Sequence, residues 1–356
     1  MRLEMSPEER FITTMKLEEP DQVPACPWVT SAFFAPYYGV EPDDWYADRE
    51  LQLRAMVEFY SRFPDLQYFP GFRASCGSTV EASALGCEIV VLEEQTPHAN
   101  PIVHDLRRDV ATLSVPDPER DGRMPMVLDH FRWLAERLPE HGFEVTAGFL
   151  HDPFDVALLV RGATELFDDL YEDPEGVHDM MDVITETCIM WANAQYEATG
   201  GTIKQIMFSD DSASQLSPEH WKAFSGRYMK RLVEGMPDGV VTIAHNCYRV
   251  NHLLELYVDT GVDALQLAPD VEIGEAKRRV GGEIALIGNL DPHHGVLLKG
   301  TPEDVEQRCR EQILHAAPGG GYVLSASGCL DGETPLENIE ALIQAAETYG
   351  RYPISA

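Results

Sequence analysis

Near the middle of the chain the run VVTIAHNCYRV places His245 and Cys247 two residues apart at the end of an apolar stretch. On extended backbone, residues two apart point to the same face, so an imidazole and a thiol here can serve one ion. Cys329, in SASGCLDGETP, offers a third donor after a later apolar run. One histidine and two cysteines with a position left open is the ligand set of catalytic zinc. A buried strand-end histidine with two core thiols accounts for the same residues, and their types and spacing leave both readings open.

Other apolar runs also end in polar groups. Asp210 and Asp211 close IKQIMFSDD, His151 and Asp152 close EVTAGFLHD, Asn289 and Asp291 close EIALIGNLD, and Asp270 closes DALQLAPD. Loops are polar simply because they are solvated, so the clustering of these residues weighs more than any one of them. Asp210, Asp211 and His151 are candidates to orient a substrate or move a proton. Asn289 and Asp270 are candidates for substrate contact, although Asn289 and Asp291 also fit a turn cap before HHGVLLKG. The adjacent His293 and His294 diverge on extended backbone and are expected to be loop residues. Cys26, Cys76, Cys87, Cys188 and Cys309 have no companion at ligand spacing and are read as structural. The chain lacks GxSxG, HExxH and CxxC, which removes the commonest hydrolase, metalloprotease and dithiol chemistries.

Positioning these groups requires strands. Eight short apolar runs qualify: QVPACPWV, DLQYFPGF, EVTAGFL, IKQIMFSD, VVTIAHNC, DALQLAP, EIALIGNL and GYVLSAS. They are nearly continuous and do not alternate, the pattern of parallel strands covered on both faces. Helical segments separate most of them. Ser6, Ser217, Thr301 and Thr334 each supply a hydroxyl cap before Pro, and Ser6 with Glu9 and Thr334 with Glu337 read as capping boxes. Repeated strand and helix is the grammar of a parallel α/β sheet, and eight units predict a (β/α)8 TIM barrel whose strand C-termini converge on one site. No GxGxxG or GxxxxGK supports an open nucleotide-binding sheet instead. Residues 71–115 interrupt the rhythm and read as a small β-hairpin excursion after the second strand. The expectation is one domain over residues 1–356, with 1–21 as an N-terminal helical extension and 71–115 shaping the mouth.

Sixty acidic against 27 basic residues give a formal charge of −33, which disfavours nucleic acid and anionic membranes as partners. No window approaches a membrane span, and MRLEMSPEERF lacks the basic and then apolar order of a signal peptide, so a cytoplasmic location is expected. Seven irregularly spaced cysteines argue for reduced thiols and against a disulfide framework.

Several segments together resemble the uroporphyrinogen decarboxylase superfamily of (β/α)8 barrels. They are KLEEPDQVPACPW, TAGFLHDPFDVALLVRGATELFDDLYEDPEGVH, DDSASQLSPEHWKAFSGRYMKRL, GVDALQLAPDVEIGEAKRRVGGEIALIGNLDP and GGGYVLSASGCLDGETPLENIEALIQAAETYG. The resemblance is nearest to the zinc-dependent, corrinoid-linked methyltransferases, whose His-x-Cys and later Cys match His245, Cys247 and Cys329. STVEASALGCEI is similar to a segment of that branch, which implies Glu81 as a substrate-binding residue of the mouth and a fourth zinc contact. As a plain sequence feature Glu81 is a helix-start carboxylate. The arginine-rich stretch of the decarboxylases, which grips propionates, is absent: PWVTSAFFAPYYG contains no arginine. The resemblance therefore implies zinc, a corrinoid carried by a partner protein, and a small methyl donor or acceptor such as a methoxylated aromatic or a thiol. A metal-free lyase of the decarboxylase type and a non-catalytic metal- or corrinoid-binding barrel stay as alternatives. Monomer and homodimer are both left open.

Overall fold

The computed structural model describes residues 5–66, 71–74, 77–90 and 97–354. Nine strands are present among them: β1 Ala25–Cys26, β2 Glu88–Val90, β3 His98–Asn100, β4 Ala147–His151, β5 Gln205–Ser209, β6 Val241–His245, β7 Ala264–Gln266, β8 Ala285–Leu290 and β9 Tyr322–Ala326. Seven form one sheet in the order β1-β9-β8-β7-β6-β5-β4, every pair parallel. The first strand thus lies beside the last, and helices surround the sheet: this is the predicted TIM-barrel fold. β2 and β3 pair antiparallel as the expected hairpin.

The second predicted strand, DLQYFPGF, is only partly described. Pro64–Leu66 is a 3-10 turn and residues 67–70 lie outside the described residues. Past them, Phe72 O accepts from the amides of Thr146 and Ala147, 3.2 Å each, so the chain runs against the edge of β4. A side chain at Gly71, with φ +77°, would meet Thr146 Oγ1 at 2.5 Å. Glycine is needed for this approach.

Ser6, Ser217 and Thr301 cap their helices as read, and Thr301 forms a capping box with Asp304 that pattern reading missed because Asp stands where Glu or Gln is usual. Thr334 is a correction. The last helix begins at Leu336 with Pro335 in the cap position, and Thr334 Oγ1 is buried without a partner among the described residues. Cys26, Cys87, Cys188 and Cys309 are buried, and Cys76 lies outside the described residues. No helix among the described residues is long and apolar enough to cross a membrane.

One packing detail bears on the site. A Cβ at Gly226 would stand 2.3 Å from Trp221 Cζ3. Trp221 is buried and packs at 5.0 Å on Tyr257, whose hydroxyl donates to Asp210. Gly226→Ala is expected to lower stability by about 1–3 kcal/mol through overpacking, readable as a reduced urea midpoint.

Candidate metal centre and active site

Sheet register assembles the centre. His151 of β4 pairs with Ser209 of β5, Ser209 with His245 of β6, and His245 with Gln266 of β7. Partners in register point to the same side of a sheet, so four polar side chains form one row at the C-terminal ends of the strands, where barrel sites are built.

Gln266 determines what His245 can do. Its Nε2 donates to Ala326 O at 3.1 Å, which turns Oε1 toward His245 Nδ1, and those two atoms are hydrogen-bonded. A carbonyl oxygen facing Nδ1 places the ring proton there and leaves the Nε2 lone pair free. Nε2 lies 2.9 Å from Cys247 Sγ. Burial, against the pull of Asp211, holds the imidazole below its ordinary pKa, so the ring is neutral and ready to act as a ligand. Trp28 closes one side, edge-on at 4.7 Å.

Cys247 follows the strand end and is exposed as a residue, while its Sγ turns back to the histidine. Partial burial of the sulfur, then the charges of Asp211 and Cys329, push its thiol well up. A cation in the same place would reverse this and favour the thiolate. Ligand atoms of Asp211, His245 and Cys247 lie within 4.8 Å of one another. Cys329 is half-buried and outside that group, although its charge is felt at Cys247.

A buried network holds Asp211 in place. Asp211 Oδ1 accepts from Cys247 N at 2.6 Å and Oδ2 from Ser209 Oγ at 3.1 Å. Asp155, in the first turn of helix Pro153–Arg161, accepts from Asp211 N at 3.1 Å, Ser212 N at 2.8 Å and Ser209 Oγ at 3.2 Å. Asp152 caps the same helix. Burial pushes the carboxyls of Asp152, Asp155 and Asp210 up, and for Asp152 and Asp210 the next cause is a neighbouring aspartate.

The other sequence candidates occupy distinct places. Glu81 is buried in helix Val80–Ala84 and accepts from His151 N at 3.0 Å, with Oε2 at 3.3 Å from His151 Nδ1. Burial alone would lower the pKa of His151, but Glu81, Asp155 and Asp211 outweigh it and raise the pKa. Asp210 lies behind the centre: its amide donates to His245 O at 2.8 Å, and Tyr257 donates to its carboxylate. Asn289 is buried and fully engaged, donating to Ala268 O and Val271 O at 2.7 and 2.6 Å and accepting from Gln312 at 2.9 Å. Asp291 accepts from the amides of His293 and His294, 2.9 Å each, which makes this pair part of a capped turn. Asp270 is exposed beyond β7.

Gln266 and Asp155 were not singled out from the sequence. Gln266 carried a usable signal, being the one strongly polar side chain in the run ALQLA. Asp155 carried none, because an acid at the third helical position is ordinary helix chemistry.

The family described as Uroporphyrinogen decarboxylase (URO-D) matches residues 6–349. The chain is 31% identical over 282 residues to the uroporphyrinogen decarboxylase of Thioalkalivibrio sulfidiphilus, spanning 75% of this chain and 76% of that one. The Pseudoalteromonas atlantica enzyme of the same name is 28% identical over 251 residues, 68% of each chain. Among solved structures, a methyltransferase from Methanosarcina mazei superposes with a TM-score of 0.80 at 24% identity, covering 97% of this chain and 99% of the other. A B12-independent methionine synthase from Shewanella shares the fold at a TM-score of 0.56, with 11% identity and coverage of 92% and 97%. The family match over nearly the whole length, with a relative at 31% identity, makes this chain a member of the uroporphyrinogen decarboxylase family.

Proposed function

We propose that the chain is a zinc-dependent methyltransferase that moves a methyl group between a small substrate and a corrinoid carried by a partner protein. The observation that carries the reading is the His245 ring, held by Gln266 with its Nε2 lone pair at Cys247 Sγ and with Asp211 in reach. One neutral nitrogen, one sulfur and a carboxylate, with Cys329 close by, suit zinc better than magnesium or calcium, which prefer all-oxygen shells. His245, Cys247 and Cys329 are the proposed ligands, and Asp211 is the carboxylate placed to complete the set. Zinc bound there supplies the positive charge that keeps a substrate thiol ionised or draws electrons from an ether oxygen.

The chain's own residues do the remaining work. His151, whose pKa is raised against its burial chiefly by the Glu81 carboxylate, is placed to give a proton to a leaving oxygen or take one from a thiol. Phe149, edge-on to His151 at 5.3 Å, lines the interior beside it. Asp211 accepts from the amide of Cys247, and Asp155 in turn accepts from the amide of Asp211, which fixes the position of the Cys247 sulfur.

The test is metal analysis combined with turnover. The purified protein is expected to carry zinc in a one-to-one ratio, and to move methyl groups between cobalamin, as methylcobalamin or its cobalt(I) form, and a panel of thiols and methoxyarenes. The names of the curated relatives favour one competitor, decarboxylation of uroporphyrinogen without metal. Turnover of uroporphyrinogen by zinc-free protein, with no methyl movement, overturns the methyltransferase reading.

A further inference from the structure

In a chain of formal charge −33, a covered arginine is expected to have an acid beside it. Arg10, Arg161, Arg231 and Arg279 are covered to varying degrees and each contacts a carboxylate. Arg73 is half-buried and has no carboxylate within ion-pair distance among the described residues. Its guanidinium lies instead over the Phe149 ring, 4.8 Å from the centroid. The hydrogen bonds from Thr146 and Ala147 to Phe72 O anchor the backbone beside it. Phe72 packs on Tyr60 and Phe143, with centroids at 4.5 and 4.9 Å, while Arg73 lies on Phe149, which points to the same face of β4 as His151. Its positive charge is felt at both His245 and Tyr60, placing it between the centre and the N-terminal helices.

A second donor lies nearby. Arg73, Thr30, Tyr60 and Trp45 border one small cavity of about 40 Å3. Trp45 Nε1 is buried and has no acceptor among the described residues. An indole N–H can only donate and a guanidinium can only donate. A cavity lined by both residues, with no acid in its lining among the described residues, has the chemistry of an anion site. A planar carboxylate matches a guanidinium fork, and the Phe149 face beside Arg73 offers an apolar wall to the body of the molecule that carries it.

We propose that Arg73 is the substrate-anchoring residue of this site, binding a carboxylate on the small substrate with help from Trp45, so that the substrate is a carboxylic acid. For a methoxylated aromatic this means a methoxybenzoate-like acid with its carboxylate toward the N-terminal helices and its reacting group toward His245 and Cys247. This inference deepens the methyltransferase reading and rests on it for the reacting group, although anion binding by Arg73 is measured independently of zinc and of turnover.

The experiment is calorimetric titration of the zinc-supplemented protein with 3-methoxybenzoate and with its neutral counterpart 3-methoxybenzamide. Wild type is expected to bind the acid at least about tenfold more tightly than the amide. Arg73→Leu is expected to lose that preference with its zinc content unchanged, and Arg73→Lys to recover part of it. Equal affinity of wild type for acid and amide, failure to bind either, or an undiminished preference in Arg73→Leu overturns the proposal. The wild-type comparison stands even where a variant fails to fold. A preference for the acid in protein that takes up no zinc when supplied with it supports the anion site, while the missing zinc removes the metal-dependent reading, so the two fail separately.

Discussion

Zinc is expected to be lost from His245→Ala and from Cys329→Ser, while Gln266→Leu keeps it with affinity weakened by about 10–100-fold. The first two substitutions remove a proposed donor atom. The third leaves every donor in place and removes only the oxygen that faces His245 Nδ1. Without that acceptor the imidazole is free to turn or to place its proton on Nε2, and the ion must then bear the cost of restoring the competent tautomer. Competitive titration against a chromophoric chelator reads all three variants, and Cys309→Ala serves as control, because Cys309 is buried in helix Pro302–Ala316 away from the centre. Full zinc retention in His245→Ala and Cys329→Ser sinks the ligand assignment. An unchanged affinity in Gln266→Leu leaves the ligands standing but removes the role given to Gln266.

The contrast between His245 and Gln266 shows what is legible in a sequence of this kind. His245 was readable as a strand-end residue because β6 ends where the apolar run ends, whereas Cys247 lies in the bend after the strand and reaches the imidazole by turning back, not by sharing a strand face. The barrel was readable because seven strands that pair in parallel are each a covered apolar run in the chain. Register was not readable. That His151, Ser209, His245 and Gln266 share a row depends on how far each strand slides past the next, and continuous apolar strands do not encode that offset in an alternating pattern. The same limit explains Glu81. Its helix-start position was evident, whereas its pairing with His151, 70 residues away, follows from the barrel bringing the two together. Thr334 shows the opposite error: a correct local motif was set aside where Pro335 took the cap position, with the helix starting at Leu336.

Asp155→Ala is expected to destabilise the protein by about 3–5 kcal/mol and to release zinc, although Asp155 is not a proposed ligand. Its carboxylate accepts from two backbone amides and one hydroxyl in a buried setting. Ser209 has a second acceptor in Asp211, but the amides of Asp211 and Ser212 do not gain one when Asp155 is truncated. Each buried donor left unpaired costs about 1–3 kcal/mol, a large share of the total stability of a typical domain. The loosened loop carries Asp211, whose Oδ1 holds the amide of Cys247, so the loss reaches the metal centre. The pH dependence separates charge from hydrogen bonding. Burial raises the Asp155 carboxyl above its ordinary value of 3.8, so the folded state holds a proton over a range where the unfolded state has released it. Stability from this group is therefore fully present below pH 3.8 and declines as pH rises through the raised value. Asp155→Asn lacks that titration, and its stability relative to wild type is expected to improve as pH rises from about 4, by up to about 1.4 kcal/mol per pH unit. Urea denaturation of both proteins in chelator across this range is the measurement. A constant difference between them would show that Asp155 is ionised throughout and that its hydrogen bonds alone hold the loop.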